Sequence, residues 1–235
     1  MSASTIISAL KAAGSAEKAL HLSRFFKTGQ GQYGEGDCFL GVVVPENRRI
    51  SKAYLDLPYD DLQEMLDSKW HEVRLSALII LVERFKRKRT SAEEQEEIYH
   101  FYLKNACRCN NWDLVDLTCP TIVGRHLLEN SDRSVLYQLA KSDNLWEQRI
   151  SIVSTITFIR SGQFEDTINL AKLLMNHNHD LMHKAIGWML REIGKKDRQV
   201  LNKFLNEYAA LLPRTSLRYA IEHHSAEERK YYMSL

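Results

Sequence analysis

The stretch NNWDLVDLTCP, residues 110–120, contains a tryptophan, Trp112, that is followed one helical turn later by an aspartate, Asp116. Two other stretches also have a tryptophan at their third position, SKWHEVRLSAL at 68–78 and NLWEQRISIVS at 144–154, and a fourth, HDLMHKAIGWML at 179–190, is comparable without this tryptophan. Each of them has a charged residue near the place of Asp116: Arg74, Arg149 and Lys184. Successive charged positions are 42, 33 and 35 residues apart. A degenerate repeat of this length, in which each unit is a pair of helices, is typical of HEAT-type proteins.

Helical spacing of apolar residues dominates the rest of the chain as well. It continues in successive segments from residue 60 to residue 223, and the single strand-like run is FLGVVVP at 39–45. Only 4 prolines and 10 glycines interrupt these patterns. We therefore predict an all-α fold, an α-solenoid of HEAT-like helix pairs that forms a curved superhelix and a single domain over residues 1–235.

The repeated charged positions bear on function, because stacked helix pairs bring corresponding residues into line along one face, commonly the concave one. The expected row on that face consists of Arg74, Asp116, Arg149 and Lys184. Two interpretations fit this row. It forms part of a binding site, or its members are solvated charges on exposed helix faces.

Composition places the chain among soluble globular proteins and adds little about its partner. Hydrophobic residues make up 44% and charged residues 26%, and the net charge of +2 permits a local nucleic-acid-binding patch without indicating one. No apolar run reaches the ~18 residues of a membrane span, and the N-terminus lacks the features of a secretory signal. With four cysteines and no CxxC pair, we expect free thiols in a reducing cytoplasm.

Motifs for metal, nucleotide and covalent chemistry are missing from the sequence. A zinc site from Cys107, Cys109 and Cys119 is disfavoured by its spacing, and no HExxH, GxSxG or P-loop pattern occurs. We predict no metal and no cofactor. The glycine-dense TGQGQYGEGD at 28–37 is interpreted either as a flexible loop or as backbone that approaches a ligand closely. The basic run within FKRKRTS at 85–91 is interpreted either as a solvated loop or as a phosphate contact.

Four longer stretches, taken together and in this order, resemble the AlkD-like DNA alkylation repair proteins, which are HEAT-like-repeat DNA glycosylases. They are FFKTGQGQYGEGDCFLGVVVPENRR at 25–49, NNWDLVDLTCPTIVG at 110–124, LWEQRISIV at 145–153 and HKAIGWMLRE at 183–192. The resemblance covers roughly residues 15–225. It implies base excision repair of duplex DNA that carries cationic alkylated purines such as 7-methylguanine and 3-methyladenine.

The resemblance also implies roles for individual residues. The catalytic aspartate of the family falls on Asp116, and the aromatic residue that opens the same motif falls on Trp112. The family's arginine in the next repeat falls on Arg149, and the resemblance implies that this residue contacts a phosphate. The tryptophan of KAIGW falls on Trp188, which would flank the lesion together with Trp112. The family's N-terminal tyrosine is best matched by Tyr33.

The other members of the predicted row, Arg74 and Lys184, are expected to add DNA contacts. We expect a monomer in the bacterial cytosol, associated with the nucleoid when it is bound to DNA, and no membrane partner. Two alternatives stay open at this point. One is a non-catalytic HEAT-type sensor of DNA lesions, and the other is a HEAT-type scaffold that binds a protein.

Overall fold

Fifteen α-helices and two 3₁₀ turns make up the computed structural model, which describes residues 1–235. No β-strand forms, and the only β-type pairing is an isolated parallel bridge between Cys38 and Trp70. The all-α class is therefore confirmed. None of the helices combines the length and the apolar character needed to cross a membrane.

Between residues 60 and 223 the helices lie close to the positions that the sequence patterns predict, and further helices precede and follow this region. In chain order they are α1 (Ala3–Ala12), α2 (Ala16–Phe25), α3 (Val44–Ser51), α4 (Tyr59–Leu66), α5 (His71–Lys86), α6 (Ala92–Lys104), α7 (Trp112–His126), α8 (Ser134–Ala140), α9 (Leu145–Val153), α10 (Ile156–Arg160), α11 (Glu165–Leu174), α12 (Asp180–Lys196), α13 (Arg198–Tyr208), α14 (Arg214–Ala220) and α15 (Ala226–Ser234). The 3₁₀ turns are Lys52–Tyr54 and Ala106–Arg108.

Contacts along the chain divide it into two compact units, Met1–Thr118 and Cys119–Leu235, and the boundary falls inside α7. A single domain over residues 1–235 stays a prediction.

In the first unit α5 is the central helix. It contacts α1, α3, α4 and α6, and every residue from His71 to Phe85 except Glu83 is buried. Its sequence explains this, because apolar side chains occupy all sides of the helix rather than one stripe. The buried polar residues at its N-terminal end must therefore find partners inside the protein.

In the second unit α12 has the corresponding place and contacts α9, α10, α11, α13 and α14. Gly187 in the middle of this helix permits its approach to α14. A Cβ atom there would lie 2.5 Å from the carbonyl oxygen of Ser216 and 2.5 Å from the Cβ of Tyr219. Close helix packing therefore accounts for a glycine inside a helix, where it costs about 1 kcal/mol relative to alanine.

Gly187→Ala is expected to lower the free energy of unfolding by about 1–3 kcal/mol, because backbone and Cβ atoms of α14 cannot move aside without shifting that helix. Urea denaturation measures this effect. Gly194→Ala in the same helix is the control, since its Cβ would meet only the side chain of Leu201. Equal stability of the Gly187 variant and the wild type would show that α12 and α14 can separate at no cost.

Candidate functional site

The N-terminal part of α7 presents an indole and a carboxylate on one helix face. Trp112 and Asp116 are four residues apart, a spacing that makes side chains neighbours on a helix surface, and both are half-buried. Leu114 and Val115 lie between them in sequence and are completely buried, so they fix the rotation of α7. The backbone N–H of Trp112 donates to the side-chain oxygen of the buried Asn111 at 2.9 Å.

Two phenylalanines at the end of α2 pack beside Trp112. The ring of Phe26 lies 5.5 Å from the indole between centroids, and the ring of Phe25 lies 6.1 Å from it with its edge towards the indole. Phe26 is buried, whereas Phe25 is 55% exposed. Sequence reasoning missed both residues, although they open the glycine-rich motif. The available signal is a pair of adjacent aromatic residues directly before a glycine-rich segment.

Tyr33 lies in the turn-rich segment that follows these phenylalanines. The ammonium group of Lys27 is 6.0 Å from the centre of its ring. The segment folds back on itself, since a Cβ at Gly34 would lie 2.4 Å from the carbonyl oxygen of Phe26. A functional role of Tyr33 stays a prediction.

Behind this face lies a buried cluster of charged side chains, with His71 at its centre. The imidazole Nε2 is 2.9 Å from a carboxylate oxygen of Asp113, and Nδ1 is 3.3 Å from a carboxylate oxygen of Asp37. The guanidinium of Arg74 pairs with the other oxygen of Asp37. The amide nitrogens of Asn110 and Asn111 donate to Asp37 at 3.3 and 3.4 Å.

These contacts determine the protonation of the cluster. Burial alone would lower the pKa of His71, but the hydrogen bonds with Asp113 and Asp37 outweigh it and raise this pKa to about 9. Burial would likewise raise the pKa of Asp37, yet His71 and Arg74 together hold that pKa below its ordinary value. At neutral pH the cluster therefore contains an imidazolium between two carboxylates.

Next to His71, the buried carboxylate of Glu72 organises the strand-like run at 39–45. Its oxygens accept hydrogen bonds from the backbone N–H groups of Leu40, Gly41 and Val42 at 2.9, 2.8 and 3.2 Å. Gly41 has a φ of +83°, and a Cβ there would lie 2.0 Å from the carbonyl oxygen of Ser15. A carboxylate thus supplies the hydrogen-bond partners that a neighbouring strand would otherwise provide.

Arg74 is directed into the buried cluster, and its contact with DNA stays a prediction. Arg74 is 4% exposed, and its guanidinium is occupied by Asp37 and by the carbonyl oxygen of Ser68 at 2.8 Å. The physical reason is charge compensation, because a carboxylate as deeply buried as that of Asp37 requires a cation beside it.

The remaining predicted contacts belong to the second unit. Arg149 is 5% exposed and donates to the carbonyl oxygen of Leu181 at 2.5 Å, which ties α9 to the first turn of α12. Lys184 pairs with Asp180 at 2.8 Å along an open face of α12, and Trp188 is half-buried one turn later. Roles for Arg149, Lys184 and Trp188 at DNA, and their alignment with Asp116, stay predictions.

Two other sequence features have ordinary structural explanations. In the basic run after α5, Arg87 and Arg89 both pair with the exposed Asp56, at 2.8 and 3.3 Å. Cys109 is buried, which raises the pKa of its thiol to about 12, and no group of three histidine, cysteine or acidic side chains is arranged to hold a metal ion.

The chain is similar to known proteins both in sequence and in structure. The family model described as DNA alkylation repair enzyme matches residues 6–224. A solved structure, described as a predicted DNA alkylation repair enzyme from Enterococcus faecalis, has a TM-score of 0.70 and 19% sequence identity over 91% of this chain and 97% of that chain. The likeness shows that the two chains share an α-solenoid-like fold. A comparison with curated proteins gives no match.

Proposed function

The chain belongs to the family of DNA alkylation repair enzymes, and on that premise we propose that it is a DNA N-glycosylase that excises cationic alkylated purines from duplex DNA. The observation that carries this proposal is the face of α7, on which Trp112 and Asp116 stand one turn apart and partly open to solvent. A role in the repair of alkylation damage follows from the family itself.

In the proposed reaction Asp116 acts on the sugar. A purine alkylated at N7 or N3 carries a positive charge, so it leaves without a strong acid to protonate it. When the N-glycosidic bond breaks, both bonding electrons go to the base and positive charge develops on the deoxyribose. A fixed carboxylate stabilises this charge and orients the water that adds to the anomeric carbon. One hydrogen of this water stays on the new hydroxyl group of the sugar, and the other leaves as a proton to the carboxylate or to solvent.

Trp112 contributes through the face of its indole. An electron-rich ring attracts a cation by roughly 0.5–2 kcal/mol, depending on desolvation. The phenylalanines beside it restrict the orientation of the ring before any ligand arrives, which reduces the entropy lost on binding. This contact would stabilise both the bound alkylated nucleotide and the sugar cation.

The second unit supplies the proposed contacts to the DNA backbone. Lys184 is 42% exposed and suits a phosphate contact, while the buried Arg149 has a donor pattern that suits bidentate contact with a phosphate. Trp188 is a further proposed stacking residue. We propose that the protein works as a cytoplasmic monomer.

The test of this proposal is a panel of duplexes, each with one lesion: 7-methylguanine, 3-methyladenine, hypoxanthine or uracil. Release of the two charged bases, with little release of the two uncharged ones, is expected, because the lability of the lesion supplies the selectivity. Efficient release of uracil or hypoxanthine would contradict the mechanism. Binding of lesion DNA without release of any base would favour a lesion sensor, and absence of DNA binding at low salt would favour a protein-binding scaffold.

A further inference from the structure

We propose that His71 is a positioning residue, which acts through Asp113 and Phe26 to fix the first turn of α7 and thereby Trp112 and Asp116. His71 itself touches neither the reacting sugar nor the base. This inference rests on the proposed function for its catalytic consequence. Its structural part, the control of the Trp112 indole by His71, stands apart from the reaction.

The first connection is polar. Asp113 is the neighbour of Trp112 in the chain, and its hydrogen bond with His71 Nε2 at 2.9 Å joins the first turn of α7 to the first turn of α5. The other carboxylate oxygen of Asp113 is buried and has no hydrogen-bond partner in the protein. His71 is therefore the only side chain that holds this carboxylate by a hydrogen bond.

The second connection is aromatic. The ring of Phe26 lies 5.0 Å from the imidazole of His71 and 5.5 Å from the indole of Trp112, at an interplanar angle of 32° in both cases. Phe39 stacks on the imidazole at 4.7 Å and on Phe26 at 5.3 Å. An imidazolium at these distances is attracted to the ring faces, so its charge holds the stack that supports the indole.

The charge balance of the cluster shows why the proton on His71 matters. The charged groups paired with it are Asp37 from the loop before α3 and Asp113 from α7, and Arg74 from α5 itself pairs with Asp37. The thiol of Cys109 interacts with Arg74 and Asp113. Two cations and two carboxylates balance while His71 is protonated. A neutral imidazole has a single N–H, so it can donate to only one of the two carboxylates.

The sign of the pH dependence follows from the raised pKa. The stabilising contribution of His71 is fully present below pH 6.5 and is lost as the pH rises through about 9. The Cys109 thiol, whose pKa is raised to about 12, stays protonated over this range. The first turn of α7 should therefore loosen in one titration step near pH 9.

NMR of the wild-type protein tests the structural part without any substitution. The four tryptophan indole N–H signals are recorded from about pH 7 to pH 10, and the Trp112 signal is identified by its loss in Trp112→Phe. A shift of that signal with a midpoint near pH 9, absent in His71→Gln, is expected. An indole signal that does not change across this range would overturn the proposal.

Single-turnover excision of 7-methylguanine tests the catalytic part. His71→Gln is expected to release the base about tenfold to a hundredfold more slowly at pH 7.5 with little change in DNA affinity, because a small displacement of catalytic groups costs rate rather than binding. The rate should fall near pH 9 in the wild type, after subtraction of uncatalysed loss, and stay flat in the variant. His100→Gln is the matched control, since His100 is exposed and paired with a single carboxylate, that of Glu96, at 2.8 Å.

A double-mutant cycle with Asp113→Asn separates positioning from general destabilisation. If His71 acts through Asp113, the double variant should be no slower than the slower of the two single variants. Additive losses, or a wild-type rate in His71→Gln, would overturn the proposal. If the wild type releases no base, the proposed function fails, and the Trp112 titration alone decides the role of His71. If the variants do not fold, the wild-type titration still decides it.

Discussion

Asp116→Asn is expected to slow single-turnover release of 7-methylguanine by about 10²–10³-fold while duplex affinity changes little. Asparagine keeps the size of the side chain and its position on α7 but removes the negative charge. Since the developing positive charge on the sugar is the feature that the carboxylate is proposed to stabilise, the loss should appear in the rate and not in the ground-state complex. Quenched-flow or manual time courses with enzyme in excess measure the rate, and fluorescence anisotropy measures the affinity.

The control for this prediction is Asp60→Asn. Asp60 is an exposed carboxylate in the first turn of α4 in the same unit, so the variant makes the same chemical change on another helix of that unit. It should release the base at the wild-type rate. Equal rates for Asp116→Asn and Asp60→Asn would remove Asp116 from the mechanism.

Glu72→Ala is expected to lower the free energy of unfolding by about 3–5 kcal/mol, the largest effect on stability that we predict. The substitution leaves the backbone N–H groups of Leu40, Gly41 and Val42 without their acceptor in a region where two of these residues are buried. It also frees the connection from which Asp37 and Phe39 reach the cluster around His71. Loss of the helical circular-dichroism signal on urea titration measures this effect.

Glu83→Ala provides the comparison for Glu72→Ala. Glu83 is the only residue of α5 between His71 and Phe85 that is not buried, and its ion pair with Lys86 spans 3.7 Å near the surface. Such a pair contributes little, about 0–1 kcal/mol. If the two variants unfold at the same urea concentration, the three hydrogen bonds of Glu72 do not anchor the loop as described.

Helix positions could be read from the sequence because they depend on local pattern. Trp70, Trp112 and Trp146 mark helix starts, and all three lie at the beginning of α5, α7 or α9. The break near Ser68 falls between α4 and α5 as apolar spacing indicates. At Ser91 the hydroxyl accepts from the N–H of Glu94, so the start of α6 was also predictable from capping preferences.

The cluster around His71 could not be read in the same way. Asp37, His71 and Asp113 are separated by 34 and 42 residues, and no local pattern states that they meet. Arg74 had the right position in the repeat for a surface contact, but repeat register predicts where a Cα lies and not whether the side chain points inward. The contact between Phe25 and Trp112 could not be predicted for the same reason, since the two rings are far apart in the sequence.

The account depends most directly on cleavage of the N-glycosidic bond, and the decisive measurement is the product balance with a duplex that carries a single 7-methylguanine. Wild-type protein should yield free 7-methylguanine and abasic sites in equal amounts, the base measured by mass spectrometry and the sites by alkaline cleavage. Loss of the lesion with unmodified guanine left in the duplex, or an untouched lesion in DNA that the protein binds, would contradict the account.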